Sequence, residues 1–581
     1  MYIYKIIIEN FRNFQSFSWK PNPSINILFG HNGCGKTNLA EALALVFSTN
    51  SYETFFEQSD YYLGNEQNRI KIQVWLDDVN SLQTSLSEYL QHIDNEDNFV
   101  MDDAPENTRA VLIYQLESRD NHRMEWGFFQ QTQKQLCGQS ARKAVNYIHI
   151  DADRQPLKEV GLQTRSTFYQ MAHDIIGAEI ERISQELIQI ANEKLEGSPA
   201  INTYLGSLLS LGEIDLIEKY RLLLKSPSST WNYSGYELGT SVGDAKLSFN
   251  KQSKGIRSLL LLLLMKKRLE GSGIVFIEEL EQNLEPKYQR YIADEYKQLK
   301  VGQLFITSHS PDIISHFEYK NISIVTSKTA TQLLSQLDPS VLKEIYHMNK
   351  KEFISALMAS CVLLVEGDSE YESFPIYSYS SGLAFSKYDI ELFRMGGKGK
   401  VEQYCKAFKH FGKKVIVLLD NDTDVTASIN RARDNADEVL LSMDSYEDLI
   451  YPYTACFVEK LNEMIEFSVI KNKMADISRF DPTTHKEVDN KKRVLKEYID
   501  REYIDVATMG SYTDLSKYEP LMKYVLHDSF ATAYFARSIA NYIIEENQIP
   551  SFFTRMLQHI SPTGQKLKCL DGYSNVYILN R

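Results

Sequence analysis

Eight residues, Gly30-His31-Asn32-Gly33-Cys34-Gly35-Lys36-Thr37, constrain the fold of this chain more than any others. They match G-x-x-x-x-G-K-[ST], follow the apolar run Ile25-Asn26-Ile27-Leu28-Phe29 and open a helix-patterned stretch over residues 39–47. A strand, a glycine-rich turn and a helix in that order aim backbone N–H groups at one spot, which makes a phosphate cradle. Gly30, Asn32, Gly33, Gly35 and Asn38 belong to this cradle. Lys36 is expected to reach the β- and γ-phosphates of ATP, and the Thr37 hydroxyl to ligate the nucleotide's Mg²⁺. The fold class that follows is α/β, with a buried parallel sheet presenting the loop at its carboxyl edge.

Further on, the buried-strand pattern Ile274-Val275-Phe276-Ile277 ends in Glu278-Glu279, and Leu304-Phe305-Ile306-Thr307 ends in Ser308-His309-Ser310-Pro311. The first looks like a Walker B element with Glu278 in place of the usual Asp. By resemblance to ABC-type ATPases, Glu279 takes the position of the base that polarises the attacking water, and His309 that of the histidine sensing the γ-phosphate. Residues 250–257, just before a leucine-rich helix, stand where such heads keep their signature loop. They depart from LSGGQ, so only Ser253 and Gly255 carry over.

Far more chain separates Lys36 from Glu278 than a minimal nucleotide-binding core requires. Alternating segments within residues 68–130, such as Ile70-Lys71-Ile72-Gln73-Val74-Trp75-Leu76 and Val111-Leu112-Ile113-Tyr114, read as a β-lobe. Residues 163–228 carry Ile175, Ile176, Ile180, Ile183, Leu187 and Ile190 at helical spacing. They read as an inserted helical hairpin that serves as a dimerisation element. The expected organisation is an ATPase domain in two halves, residues 1–162 and 229–350, split by that insertion.

A second pair of motifs follows. Val362-Leu363-Leu364-Val365 leads into Glu366-Gly367-Asp368-Ser369-Glu370, and Val415-Ile416-Val417-Leu418-Leu419 leads into Asp420-Asn421-Asp422. Aliphatic runs of this kind read as buried parallel strands, and acids at their carboxyl ends lie where open α/β sheets bind ligands. Glu366, Glu370, Asp420 and Asp422 gathered there would repel one another unless cations neutralised them. Hard oxygen donors suit Mg²⁺ or Mn²⁺, and two such ions can clamp a phosphodiester during its cleavage.

This pairing resembles the Toprim fold, with Met395-Gly396-Gly397-Lys398-Gly399-Lys400 fitting between the two motifs. The opening Ile6-Ile7-Ile8-Glu9-Asn10-Phe11-Arg12-Asn13-Phe14 and the segment Tyr147-Ile148-His149-Ile150-Asp151-Ala152-Asp153-Arg154-Gln155-Pro156-Leu157 are similar to SMC- and RecF-type ATPase heads. An ABC-type head followed by a Toprim domain resembles the OLD (overcoming lysogenisation defect) nuclease family. The Gabija nuclease subunit and some retron effectors belong to that family. The resemblance implies a Toprim nuclease domain over residues 351–460 with a helical extension over residues 461–581. It makes Glu447 a further metal ligand and implies a C-terminal lysine at the scissile phosphate. Lys566, Lys568 and Lys523 are the candidates for that lysine, and Lys566 is chosen.

The six cysteines are scattered without a C-x-x-C pair, which argues against a disulfide framework or zinc ribbon. The chain opens directly in a strand pattern, so no signal peptide is expected. The leucine run 259–264 falls far short of the ~20 apolar residues a membrane span needs. A cytoplasmic protein is expected. The net charge of −14 is unlike a nucleic-acid binder, but distribution matters more than the sum. Lys398, Lys400, Lys406, Lys409, Lys413 and Lys414 crowd the Toprim motifs, and Lys486, Lys491, Lys492, Arg493 and Lys496 form a second group.

The function expected is a nucleotide-regulated, metal-dependent DNA endonuclease of bacterial anti-phage defence, acting as a homo-oligomer. A partner such as a helicase, or a reverse transcriptase with its noncoding RNA or DNA, fits that role. The alternatives are an ATP-dependent scaffold that binds nucleic acid without cutting, or a nuclease acting on RNA.

Overall fold

A computed structural model describes residues 1–49, 54–79, 84–100, 108–130, 135–154, 198–199, 203, 220–224, 236–242, 245–248, 251–335, 337–420, 425–453, 458, 461–478, 490–527, 533–561, 564–570 and 573–579. The stripe from Ile175 to Ile190 lies outside these residues, as does Asp422. The chain forms two compact units, Met1–Ser335 and Gln336–Arg581, each of the α/β class.

In the first unit six strands form one sheet, in the order Tyr147–Ile150, Ile274–Ile277, Gln303–Thr307, Ile25–Phe29, Ile322–Val325, Ala330–Gln332. Every pairing is parallel except the last. Ile274–Ile277 and Gln303–Thr307 are buried along their whole length, as strands covered on both faces must be. Phe276 and Phe305 stack side by side within this core, their ring centroids 5.5 Å apart. The register pairs Ile150 with Ile277, Ile277 with Ile306, and Ile306 with Ile27. Four strands therefore deliver their carboxyl ends to one edge.

An eight-stranded, antiparallel sheet built on Tyr2–Phe11, Lys71–Asp77 and Arg109–Ser118 forms the expected β-lobe. Gln303 stitches the two sheets together: its fully buried amide accepts from the Ile3 N–H (2.7 Å) and donates to the carbonyls of Ile3 (3.1 Å) and Asn22 (2.7 Å). The helix Lys36–Val46 buries Leu39, Ala40, Leu43 and Val46, the spacing of one helical face. Lys254–Leu269 is the core helix expected of the leucine run, buried without interruption from Ser258 to Lys266.

One expectation fails within this unit. Tyr220–Leu224, assigned to the helical insertion, is a strand paired antiparallel with Tyr236–Val242, which in turn pairs with Ala245–Ser248. Three consecutive leucines favour helix in isolation, and cross-strand pairing overrides that preference.

In the second unit five strands run parallel in the order Ile390–Arg394, Cys361–Val365, Lys414–Asp420, Glu438–Ser442, Val576–Leu579. The last strand shows that the C-terminal segment is part of the sheet rather than an appendage. Helix Ala533–Glu545 packs on helix Asp368–Ser380, and Phe553 meets Phe374 edge-on at 4.8 Å. The boundary also moves. Helix Pro339–His347 buries Val341 and Ile345 and belongs to this unit, packing on Val401–His410, although the sequence placed the division at 350/351.

Candidate functional site

At the carboxyl edge of the six-stranded sheet, Asn32, Gly33, Gly35, Lys36, Thr37, Asn38, Glu279 and His309 line one cavity of about 190 Å³ together with Thr307. Gly35 has a φ of +111°, and a Cβ there would lie 2.5 Å from the Phe14 ring and 2.6 Å from Asn13 Nδ2. Only glycine fits this close approach. Lys36 is buried, and its ammonium donates to the carbonyls of Gly30 (3.0 Å) and His31 (3.2 Å), which holds the charge inside the loop. Asn38 is tied to the neighbouring strand turn, donating to Asn13 Oδ1 (2.7 Å) and accepting from Arg12 (3.2 Å).

Glu278 does not line this cavity. Its side chain is buried and meets His149 Nε2 at 2.8 Å. A carboxylate deprived of water is costly unless hydrogen-bonded, and His149 supplies that bond. Glu279 does face the cavity, with a φ of +43° that a side chain of its size adopts at a cost of about 1–2 kcal/mol. The His309 N–H donates to Glu281 Oε1 (2.5 Å). Burial, then the Lys36 cation, pushes the His309 imidazole below its ordinary pKa against the pull of Glu281 and Glu279, so the ring is neutral at neutral pH. An anion cradle, a cation, a carboxylate and a neutral histidine share one space, an arrangement that can bind and hydrolyse a nucleotide.

Ser253 and Gly255 lie apart from that cavity. Ser253 caps helix Lys254–Leu269, its Oγ accepting from the Ile256 N–H (3.3 Å), and is exposed. A Cβ at Gly255 would stand 3.1 Å from the Asn283 carbonyl, in the turn that follows Glu279. Nothing in the sequence marks His149, Arg154 or Thr307 as part of this site. The segment 147–157 was singled out, but only as a likeness to other heads.

The second group of acids sits at the carboxyl edge of the five-stranded sheet. Glu366 and Asp420 follow or end adjacent parallel strands. Glu370 is buried in the first turn of helix Asp368–Ser380, its Oε2 accepting from the Gly367 N–H (3.2 Å). Glu447 belongs to the short helix Tyr446–Ile450, which follows the neighbouring strand Glu438–Ser442. The loop after Ile390–Arg394 folds onto the same edge, where the Gly396 N–H donates to the Glu366 carbonyl (3.1 Å). Among the described residues no three acids, histidines or cysteines lie close enough to hold a metal ion. Asp422 is outside those residues. As donors, the carboxylates of Glu366 and Asp420, carried at the ends of adjacent strands, are of the chemistry that a hard cation takes.

Arg394, unnoticed in the sequence, ends its strand beside this edge, pairs with Asp368 (2.6 Å) and Glu352 (3.2 Å), and lies over the Tyr371 ring.

The lysines part company. Lys566 donates to the His559 carbonyl, and His559 contacts Glu438 (3.2 Å) at the amino end of its strand. That is the edge opposite the acids, so the structure does not bring Lys566 to them. Lys523 pairs with Asp448, beside Glu447, and with Glu519 (2.6 Å). Lys486 and the side chains of Lys398 and Lys491 lie outside the described residues, and among the others most of the expected cations are paired or buried. Lys400 pairs with Glu344 (3.3 Å), Lys406 with Glu402 (2.6 Å), Lys409 with Asp437 (3.0 Å) and Lys414 with Glu438 (2.9 Å), and Lys413 is buried. In the second group Lys496 pairs with Asp500 (2.8 Å) one helical turn on.

Comparison with known proteins matches residues 1–314 to the AAA ATPase domain family. Residues 357–422 match the overcoming lysogenization defect protein-like TOPRIM domain. The chain is 24% identical over 455 residues to endonuclease GajA of Bacillus cereus (strain VD045), covering 72% of this chain and 74% of that protein. It is 23% identical over 344 residues to the DNA replication and repair protein RecF of Acinetobacter baylyi, covering 53% of this chain and 92% of RecF. Among solved structures, an SMC head bound to the C-winged helix domain of ScpA matches at a TM-score of 0.36 and 12% identity, covering 57% of this chain and 97% of that one.

Proposed function

Because the chain belongs to the AAA ATPase domain family and carries an overcoming-lysogenization-defect-like TOPRIM domain, we propose that it is a nucleotide-regulated, divalent-metal-dependent DNA endonuclease. The observation that carries this reading is Glu366 and Asp420 at the carboxyl ends of adjacent strands of one sheet, in a chain whose other main sheet carries a cavity lined by the phosphate loop, Glu279 and His309. The likeness to a protein named as an endonuclease supports the reaction class.

Glu366 and Asp420, with Glu370, Asp422 and Glu447, would hold Mg²⁺ or Mn²⁺. Bound ions of this kind activate water and neutralise the oxygen leaving phosphorus. Of the candidate lysines Lys523, Lys566 and Lys568, Lys523 pairs with Asp448, next in sequence to Glu447, and we assign it rather than Lys566 the role of stabilising charge on the scissile phosphate. In the first unit Lys36 and Thr37 bind nucleotide and its Mg²⁺, Glu279 is the base, and His309 responds to the γ-phosphate.

Ser253 and Gly255 would serve the cavity of a second copy, which makes the working form at least a homodimer, with the stripe Ile176–Ile190 contributing to its interface. No helix among the described residues is long and apolar enough to cross a membrane. The setting proposed is the bacterial cytoplasm, in anti-phage defence, with a helicase or a reverse transcriptase as possible partner class.

The test is incubation of the purified protein with supercoiled plasmid and Mg²⁺ or Mn²⁺, with and without ATP. Metal-dependent cleavage whose rate shifts with ATP supports the reading. Binding without cleavage under every condition replaces it with an ATP-dependent scaffold.

A further inference from the structure

We propose that Arg154 is a positioning residue for nucleotide hydrolysis, fixing the backbone that aims the Glu279 carboxylate. The inference rests on the reading of Glu279 as the base. Two peptide planes meet at the Glu279 α-carbon, and both are pinned at both ends. In the plane before it, Arg154 Nη2 donates to the Glu278 carbonyl, and the Glu279 N–H donates to Thr307 Oγ1 (2.9 Å). In the plane after it, Arg154 Nη2 donates to the Glu279 carbonyl (2.8 Å), and the Leu280 N–H donates to the Thr307 carbonyl (3.2 Å). Arg154 thus takes both carbonyls and Thr307 both N–H groups.

Fixing two successive peptide planes fixes φ and ψ of the residue between them. The angle so fixed is the left-handed φ of +43°, which a glutamate keeps only where its surroundings impose it. Thr307 is buried at the end of the strand Gln303–Thr307, inside the sheet. Arg154 Nε and Nη1 are closed to solvent and have no hydrogen-bond partner, so Nη2 on these two carbonyls is the polar contact that remains to this guanidinium among the described residues. A charged donor is a strong clamp for a carbonyl pair. A base must be held within a fraction of an ångström of its productive position, and the carboxylate inherits its direction from the backbone beneath it.

The test uses the full-length protein and four variants: Arg154→Gln, Arg154→Lys, Glu279→Gln, and Arg154→Gln combined with Glu279→Gln. Steady-state ATP hydrolysis, the affinity for a fluorescent ATP analogue and the thermal midpoint are measured for each. Arg154→Gln is expected to lower kcat about tenfold while KM and nucleotide affinity stay within about twofold. Arg154→Lys should recover part of the loss, since an ammonium can still donate to a carbonyl. The double variant should be no slower than Glu279→Gln, because the clamp then has no base to aim.

Wild-type turnover by Arg154→Gln alongside an inactive Glu279→Gln overturns the proposal and leaves the base in place. So does a double variant slower by the full Arg154→Gln factor, or a kcat loss matched by equal losses of affinity and thermal midpoint. Wild-type turnover by Glu279→Gln removes the reading of the base, and the role of Arg154 goes with it.

Discussion

Both candidate sites stand at the carboxyl edge of a parallel sheet, yet they handle charge in opposite ways. In the first unit the protein supplies its own counter-charges and dipoles. Lys36 sits inside the phosphate loop, His149 holds Glu278, and Arg154 holds the backbone of Glu279. That site is shaped in advance for an anion. In the second unit Glu366 and Asp420 share one edge, and Arg394 beside them is paired with Asp368 and Glu352. Neighbouring carboxylates of this kind are complementary to cations from solution. The same sheet geometry therefore presents a cation and backbone donors in one place and carboxylates in the other. Architecture locates a site, and the side chains decide what it binds.

The contrast breaks most visibly on the acids of the second unit. Glu366→Ala is expected to lower plasmid cleavage by about a thousandfold or more while ATP hydrolysis stays within about twofold. Comparable losses of both activities would mean that the two sites are not separable. Next in size, Glu279→Gln should lower ATP turnover about a hundredfold with nucleotide affinity kept, whereas Lys36→Ala should lose affinity itself. A nucleotide titration distinguishes them. Smaller again, Lys523→Ala should slow cleavage at least about tenfold, and Lys566→Ala less than about twofold. The reverse ranking, read from initial cleavage rates, would return the role to Lys566.

The smallest effect concerns stability. Burial pushes the Glu438 carboxyl up, but hydrogen bonds from His559 and Lys414 outweigh it and hold the group at about 2. A pKa depressed on folding adds stability above the ordinary carboxylate range, and this is lost as pH falls through that range toward 2. Glu438→Gln should therefore lower the thermal midpoint by about 2–4 °C at neutral pH and flatten its fall in acid, followed by circular dichroism from pH 7 to pH 3.

Contiguous signals were legible in the sequence. The phosphate loop, the strand before Glu278, the strand before His309 and the two acidic turns each combine strand, turn and chemistry within ten or so residues. The structure puts the first four at the carboxyl ends of sheet strands, and of the last it places Asp420, which ends its strand. What stayed hidden acts across distance. Arg154 reaches carbonyls more than a hundred residues away, and backbone acceptors leave no mark in sequence. Lys400, Lys409 and Lys414 read as a basic group crowding the Toprim motifs because their partners Glu344, Asp437 and Glu438 stand elsewhere in the chain. Lys566 was chosen by its setting among small polar residues, which says nothing of which edge of the sheet it occupies. Val576–Leu579 is too short for its pattern to stand out, and only pairing with Glu438–Ser442 makes it a strand.

The most direct test of two separate sites is a crossed assay on one set of preparations. Wild type, Asp420→Ala and Glu279→Gln are each given supercoiled plasmid, Mn²⁺ and ATP, and both cleavage and phosphate release are followed. The account predicts that Asp420→Ala hydrolyses ATP normally and leaves the plasmid intact. It predicts that Glu279→Gln retains metal-dependent cleavage capacity while its ATP turnover collapses. Plasmid cleavage by Asp420→Ala at the wild-type rate would contradict it.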